Sequence, residues 1–241
     1  MKTRDYKRAY VWQLAVRIFH WANALSITLL IITGYLIAHP PAIRSTAEAS
    51  TQFWFGYIRE IHFMSAYLMF AVLFLRLYYA IVGNKYANWK VFVPFNKKGL
   101  TGIWHTIKHD VLLLNDKEYN YKDSVHVGHN NVAAVSYLAM FFMAIIMIFT
   151  GFGMYAANAT WFLPKMFAWV PEFFGGDMNI RWIHHITMWA FILFVVVHVY
   201  LVFYHDWLEG HGESSSMISG YKFVRTERVA EANDNTENAV K

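Results

Sequence analysis

The chain has no cysteine in 241 residues, which excludes thiolate-bound iron–sulfur clusters, a CxxCH covalent haem, disulfides and Cys-based zinc sites within this polypeptide. Any electrons it handles come from elsewhere. Charge is the second scarcity: Asp, Glu, Lys and Arg together make up 15% of the residues, against about 25% in soluble domains. The formal charge is +5, but no stripe or known motif gathers the basic residues, so nucleic-acid binding is excluded. What is abundant is apolar: 57% hydrophobic and 19% aromatic. Residues 19–38, 61–82, 132–156 and 184–204 contain no Asp or Glu, and each is long enough to cross about 30 Å of hydrocarbon. The expected fold class is all-α, an integral membrane four-helix bundle forming one domain over residues 1–241. No internal repeat is evident, and no small-residue cleavage site follows the basic N-terminal segment, so the first span is expected to be retained.

Orientation follows from Lys and Arg. The N-terminal segment, the 83–131 loop and the tail after 204 carry five, seven and four of them. Residues 39–60 and 157–183 contribute only Arg44, Arg59, Lys165 and Arg181. The positive-inside rule therefore puts both termini in the cytoplasm and the sparse loops in the periplasm of a bacterial host, with the inner membrane as location. Within the cytoplasmic loop, Leu100, Ile103, Trp104, Ile107, Val111 and Leu114 recur at helical spacing against His105, Thr106, Lys108, His109 and Asp110, the pattern of an interfacial amphipathic helix. A soluble hairpin packed on the bundle is the alternative. Residues 206–241 read as a polar cytoplasmic tail with a disordered end.

Histidines carry the chemistry. A histidine inside a span is costly and by default marks function. His184 and His198 lie fourteen residues apart on one apolar run; at about 1.5 Å and 100° per residue that separates them by roughly 21 Å on a shared helix face. His20 and His62 each open another run. With both termini cytoplasmic, His62 shares a periplasmic-side level with His184, and His20 a cytoplasmic-side level with His198. Two His/His pairs at two depths fit two bis-histidine haem b groups, with the irons about 20 Å apart. A proton relay, a metal transporter or purely structural histidines are the competing readings, although transport would want acidic partners and the spans hold none. His185 is turned roughly 140° from the His198 face. His205 falls at the water boundary, and His39, His105, His109, His126 and His211 read as solvated.

Arg17, Arg59 and Arg181 each precede a proposed ligand by three residues, in RIFH, REIH and RWIH. One turn outward, they are candidates to pair with haem propionates, snorkelling to the interface being the alternative. Arg76, near the cytoplasmic end of the second span, is the fourth candidate. Gly34 in ITG and Gly151 in FTG let a porphyrin or a neighbouring helix come close. The Met- and aromatic-rich third span is core and lipid contact.

RIFHWANALSITLLIITG and RWIHHITMWAFILFVVVH resemble the two signature segments of the b-type cytochrome subunit of membrane-bound nickel–iron hydrogenases. GYIREIHF around His62, YYAIVGNKY, the GHN at Gly128 to Asn130, TGFGMY and ISGY at 218–221 follow that subunit in order and spacing, over roughly residues 10–222. Formate dehydrogenase gamma subunits share the four-helix di-haem plan, but the GHN and GYIR segments favour the hydrogenase subunit. The resemblance implies a membrane anchor with two haem b groups that takes electrons from the iron–sulfur small subunit of a periplasmic hydrogenase, whose large subunit holds nickel and iron, and passes them to the quinone pool. No hydrogen-activating site is expected in this chain. His62 and His184 would hold the periplasmic-side haem and His20 and His198 the cytoplasmic-side one. His129 and Asn130 would stand on the quinone side, a helix-capping role for Asn130 being the alternative. A stand-alone di-haem cytochrome b, exchanging electrons between quinol and a soluble acceptor, is the competing assignment.

Overall fold

The computed structural model describes residues 6–42, 48, 50, 52–89, 104, 131–209 and 212–225. In chain order these form strand β1 (Tyr6–Tyr10), helices α1 (Leu14–Ala38), α2 (Trp54–Val82) and α3 (Asn131–Ala156), the short helices α4 (Phe162–Lys165) and α5 (Val170–Phe173), the long helix α6 (Asp177–Glu209), α7 (Glu213–Ser219) and strand β2 (Tyr221–Arg225). Among the described residues, α1, α2, α3 and α6 are the helices long and apolar enough to cross a membrane, so the four-span helical reading holds. Each ligand candidate sits deeper in its helix than the hydropathy runs suggest. α2 starts at Trp54 and α6 at Asp177, because a helix continues past the hydrocarbon wherever its next turns satisfy their own backbone groups. The interfacial-helix segment, apart from Trp104, and residues 226–241 lie outside the described residues.

The chain divides into two compact units, one of Met1–Ile18, Leu77–Met140 and His198–Lys241, the other of Phe19–Arg76 and Phe141–Val197. In the second unit the side chains are sorted as lipid demands. Large apolar groups such as Leu25, Ile32 and Leu193 face outward, while the buried positions include Ser26, Thr33, Ser65, Thr150 and Thr187. Without a hydrophobic drive between helices in lipid, small and hydroxyl side chains let the backbones approach. Ser26, Thr33, Thr150 and Thr187 each return their hydroxyl proton to the carbonyl four residues back, at 2.6 to 2.8 Å, so none brings an unmet donor into the interior. Met69, Ile148 and Phe152 form an apolar cluster, covered by Leu163 of α4 and by Phe167. Gly153 is needed there: a β-carbon on it would stand 3.0 Å from Val170 Cβ.

The first unit adds structure to the start of the polar tail, short of residues 226–241. α6 runs to Glu209, and the chain then returns through α7 to pair β2 antiparallel with β1, Tyr6 opposite Arg225 and Tyr10 opposite Tyr221. The sequence reading missed this ribbon because its strands are five residues each and are stable only when joined across the chain. Gly220 lies in the left-handed region, φ 87°, and its carbonyl accepts from the backbone N–H of Val11 and Trp12 at 2.9 and 3.1 Å. Trp12 Nε1 donates to the buried Ser216 hydroxyl at 3.1 Å, and buried Lys222 pairs with Glu213 at 2.6 Å. Asp206 caps α7, accepting from Glu213 N at 2.7 Å and from the Ser214 hydroxyl. Gln13 Oε1 accepts from the Tyr79 hydroxyl of α2 and from Asn84 N just past its end at 3.2 Å, and Val11 O accepts from Asn84 Nδ2 at 3.2 Å.

Candidate functional site

His62 on α2 and His184 on α6 are held in matching ways. Thr33 Oγ1 of α1 is 2.8 Å from His62 Nδ1, and Thr150 Oγ1 of α3 is 2.8 Å from His184 Nδ1. Each threonine has one hydroxyl proton, and each gives it to a helix carbonyl, Thr33 to Leu29 and Thr150 to Ile146, both at 2.6 Å. Toward the imidazole the oxygen is therefore an acceptor, and Nδ1 carries the proton. Nε2 is left with its lone pair, the tautomer in which a neutral histidine binds a metal.

The residue after each threonine is glycine, and it makes room for the same ring edge. A β-carbon on Gly34 would lie 3.4 Å from His62 Cε1, and one on Gly151 3.3 Å from His184 Cε1. The built atom at Gly34 would also lie 3.5 Å from Met188 Sδ. Met188 is one turn past His184, so α6 brings the His184 side of its surface up to His62. The unit thus repeats one device: Thr-Gly on one helix grips the histidine of Arg-x-Ile-His on the next. The paired threonine and histidine are 29 residues apart in one copy and 34 in the other, too irregular to show as a sequence period.

The donor chemistry suits an axially ligated haem. Among the described residues no group of three or more His, Cys, Asp or Glu forms a metal cage, as a tetrahedral ion would need, whereas a porphyrin supplies four nitrogens and asks the protein for two imidazoles.

Residues 11–220 match the family described as prokaryotic cytochrome b561. The chain belongs to that family. It is 34% identical over 219 residues to the Escherichia coli K12 protein named probable Ni/Fe-hydrogenase 1 B-type cytochrome subunit, covering 88% of this chain and 90% of the relative. Proteins named probable Ni/Fe-hydrogenase B-type cytochrome subunit are 35% identical in Cupriavidus necator, covering 91% of this chain and 88% of the relative, and 35% identical in Rhizobium leguminosarum, covering 93% and 92%. A b-type cytochrome binds haem b, and four spans make this one a membrane protein.

The other candidates of the cytochrome fall as follows. His20 is half-buried on α1, its ring edge-on to Trp21 at 5.2 Å. His198 lies on α6 and is exposed. Arg59 and Arg181 are exposed, one turn before His62 and His184, and Arg59 borders a cleft with Glu60, Phe63 and Tyr67. Arg76 is buried. Arg17 Nη1 donates to the Ile218 carbonyl of the C-terminal segment, and its Nε is buried with no hydrogen-bond partner among the described residues. His185 faces elsewhere than His184, accepting from Trp189 Nε1 at 3.3 Å and packing on His39 with ring centroids 5.9 Å apart. His129 and Asn130 lie outside the described residues. Sequence reasoning missed Thr33 and Thr150. The signal for them was that Thr-Gly recurs on the span preceding each Arg-x-Ile-His.

Proposed function

We propose that this cytochrome is the di-haem b subunit and membrane anchor of a periplasm-facing nickel–iron hydrogenase, relaying electrons from the iron–sulfur small subunit to the quinone pool. The observation that carries the proposal is the matched pair of imidazoles, His62 and His184, each with Nδ1 committed to a threonine and Nε2 left for iron. Haem b between two such nitrogens supplies one-electron Fe(III)/Fe(II) exchange. The names of the relatives, all given as hydrogenase cytochrome subunits, support association with the small and large hydrogenase subunits. The absence of cysteine supports an external electron donor.

The remaining assignments extend the same reading. Both termini stand in the cytoplasm by the distribution of Lys and Arg, which places His62 and His184 on the periplasmic side of the inner membrane, nearest the incoming electron. The fourteen-residue spacing from His184 assigns His198, with His20, to the second haem. Arg59 and Arg181, one turn outward of their histidines, serve propionates of the first, with Arg17 and Arg76 in that role toward the cytoplasm. His129 and Asn130 stand at the quinone.

A pyridine haemochrome spectrum of detergent-purified protein, with a reduced-minus-oxidised difference spectrum, tests this. Two b-type haems per polypeptide is the expected result. None in intact protein overturns the proposal, and failure of the nickel- and iron–sulfur-containing subunits to co-purify from native membranes overturns its hydrogenase part.

A further inference from the structure

We propose that Thr33 and Thr150 are paired positioning residues that jointly set the donor strength of His62 and His184, and through it the reduction potential of one site. This rests on the reading of the two histidines as axial ligands of the same haem. Back-bonding to the helix does not account for the arrangement, because Ser26, Thr28 and Thr187 make the same bond to the carbonyl four residues earlier as ordinary helix residues. At Thr33 and Thr150 the oxygen takes on a second task, facing the imidazole Nδ1 of a neighbouring helix at 2.8 Å.

The chain of bonds has a direction. Nδ1–H donates to the hydroxyl oxygen, and the hydroxyl donates to Leu29 O or Ile146 O. Each bond polarises the next, so the threonine oxygen is a better acceptor than an isolated hydroxyl. Drawing on the Nδ1 proton makes Nε2 more basic and locks the plane of the ring. A more basic nitrogen favours ferric over ferrous iron, so each threonine lowers the potential of the iron it serves. Both are buried, Thr33 at 5% and Thr150 at 1% exposure, which keeps water from replacing the bond. The glycine beside each threonine leaves Cε1 just the room that lets the ring sit against the hydroxyl. Because the device occurs once for each histidine of the pair, both threonines act on a single redox centre, and a centre held by other ligands does not respond to them.

The test uses full-length protein carrying Thr33→Val, Thr150→Val or both, with Thr33→Ser and Thr150→Ser as variants that keep the hydroxyl. Haem content is read optically and the two potentials by redox titration. Each valine variant is expected to raise the potential of the same wave, by up to about tenfold in the ferric-to-ferrous preference, equal to about 59 mV for a one-electron couple. The double variant adds the two shifts, serine restores the native value, and the other wave stays in place. Loss of one haem with valine but not with serine also supports the proposal. Retained haem with an unmoved potential overturns it, as do equal effects of serine and valine, or shifts that fall on different waves. Wild-type protein without haem would instead overturn the function proposed above.

Discussion

Gly220→Ala should open the ribbon that joins the two ends of the described chain. Gly220 has φ 87°, where an L-residue costs about 1–2 kcal/mol more than glycine. The added methyl would stand 2.8 Å from Trp12 O and 2.7 Å from Tyr10 Cε2. The Trp12 carbonyl lies beside the ribbon, where the Val11 and Trp12 N–H groups bond Gly220 O, and overpacking of this kind costs about 1–3 kcal/mol. Together about 2–5 kcal/mol is lost from the closed ribbon, or roughly a thirty- to several-thousand-fold rise in its opening at about 1.4 kcal/mol per factor of ten. Hydrogen exchange by mass spectrometry on full-length protein in detergent reads this directly in peptides spanning 6–12 and 221–225. Gly56→Ala is the control, since its β-carbon would meet nothing within 4 Å. Unchanged exchange in Gly220→Ala would refute the packing argument.

Ser216→Ala removes the acceptor of buried Trp12 Nε1 and should cost the same ribbon about 1–3 kcal/mol, visible as faster exchange in the same peptides. His62→Ala and His184→Ala should each abolish the same haem signal, and His20→Ala and His198→Ala the other; loss of both signals in all four variants would contradict the pairing. Gly34→Ala and Gly151→Ala should both disturb the site, because the new carbons meet His62 Cε1 at 3.4 Å and His184 Cε1 at 3.3 Å. Native haem content and a native ferric EPR spectrum in both variants would count against the glycines acting as ring seats.

The four spans and the positions of the histidines were legible because lipid imposes a simple rule: long uncharged runs, with the rare polar group marking function. The placement of His185 away from His184 was legible from the helical angle alone, and the structure gives it Trp189 and His39 instead. The terminal ribbon was not legible. Its strands alternate weakly, and they pair residues more than two hundred positions apart, so nothing local to either strand identifies its partner. Arg17 shows the same limit: its position before His20 suggested a propionate contact, yet the fold also gives it the Ile218 carbonyl.

Composition and periodicity by themselves determined that this is a four-span membrane protein, which residues are chemically unusual within it, and on which helix face each lies. Those properties depend on the chain's own rise and rotation per residue and on the cost of burying charge. Which hydroxyl faces which imidazole nitrogen, and so which tautomer the bonding favours, came from the fold. Thr33 meets His62 and Thr150 meets His184 from a neighbouring helix, and contacts between helices depend on how their surfaces pack, which no period within one helix encodes.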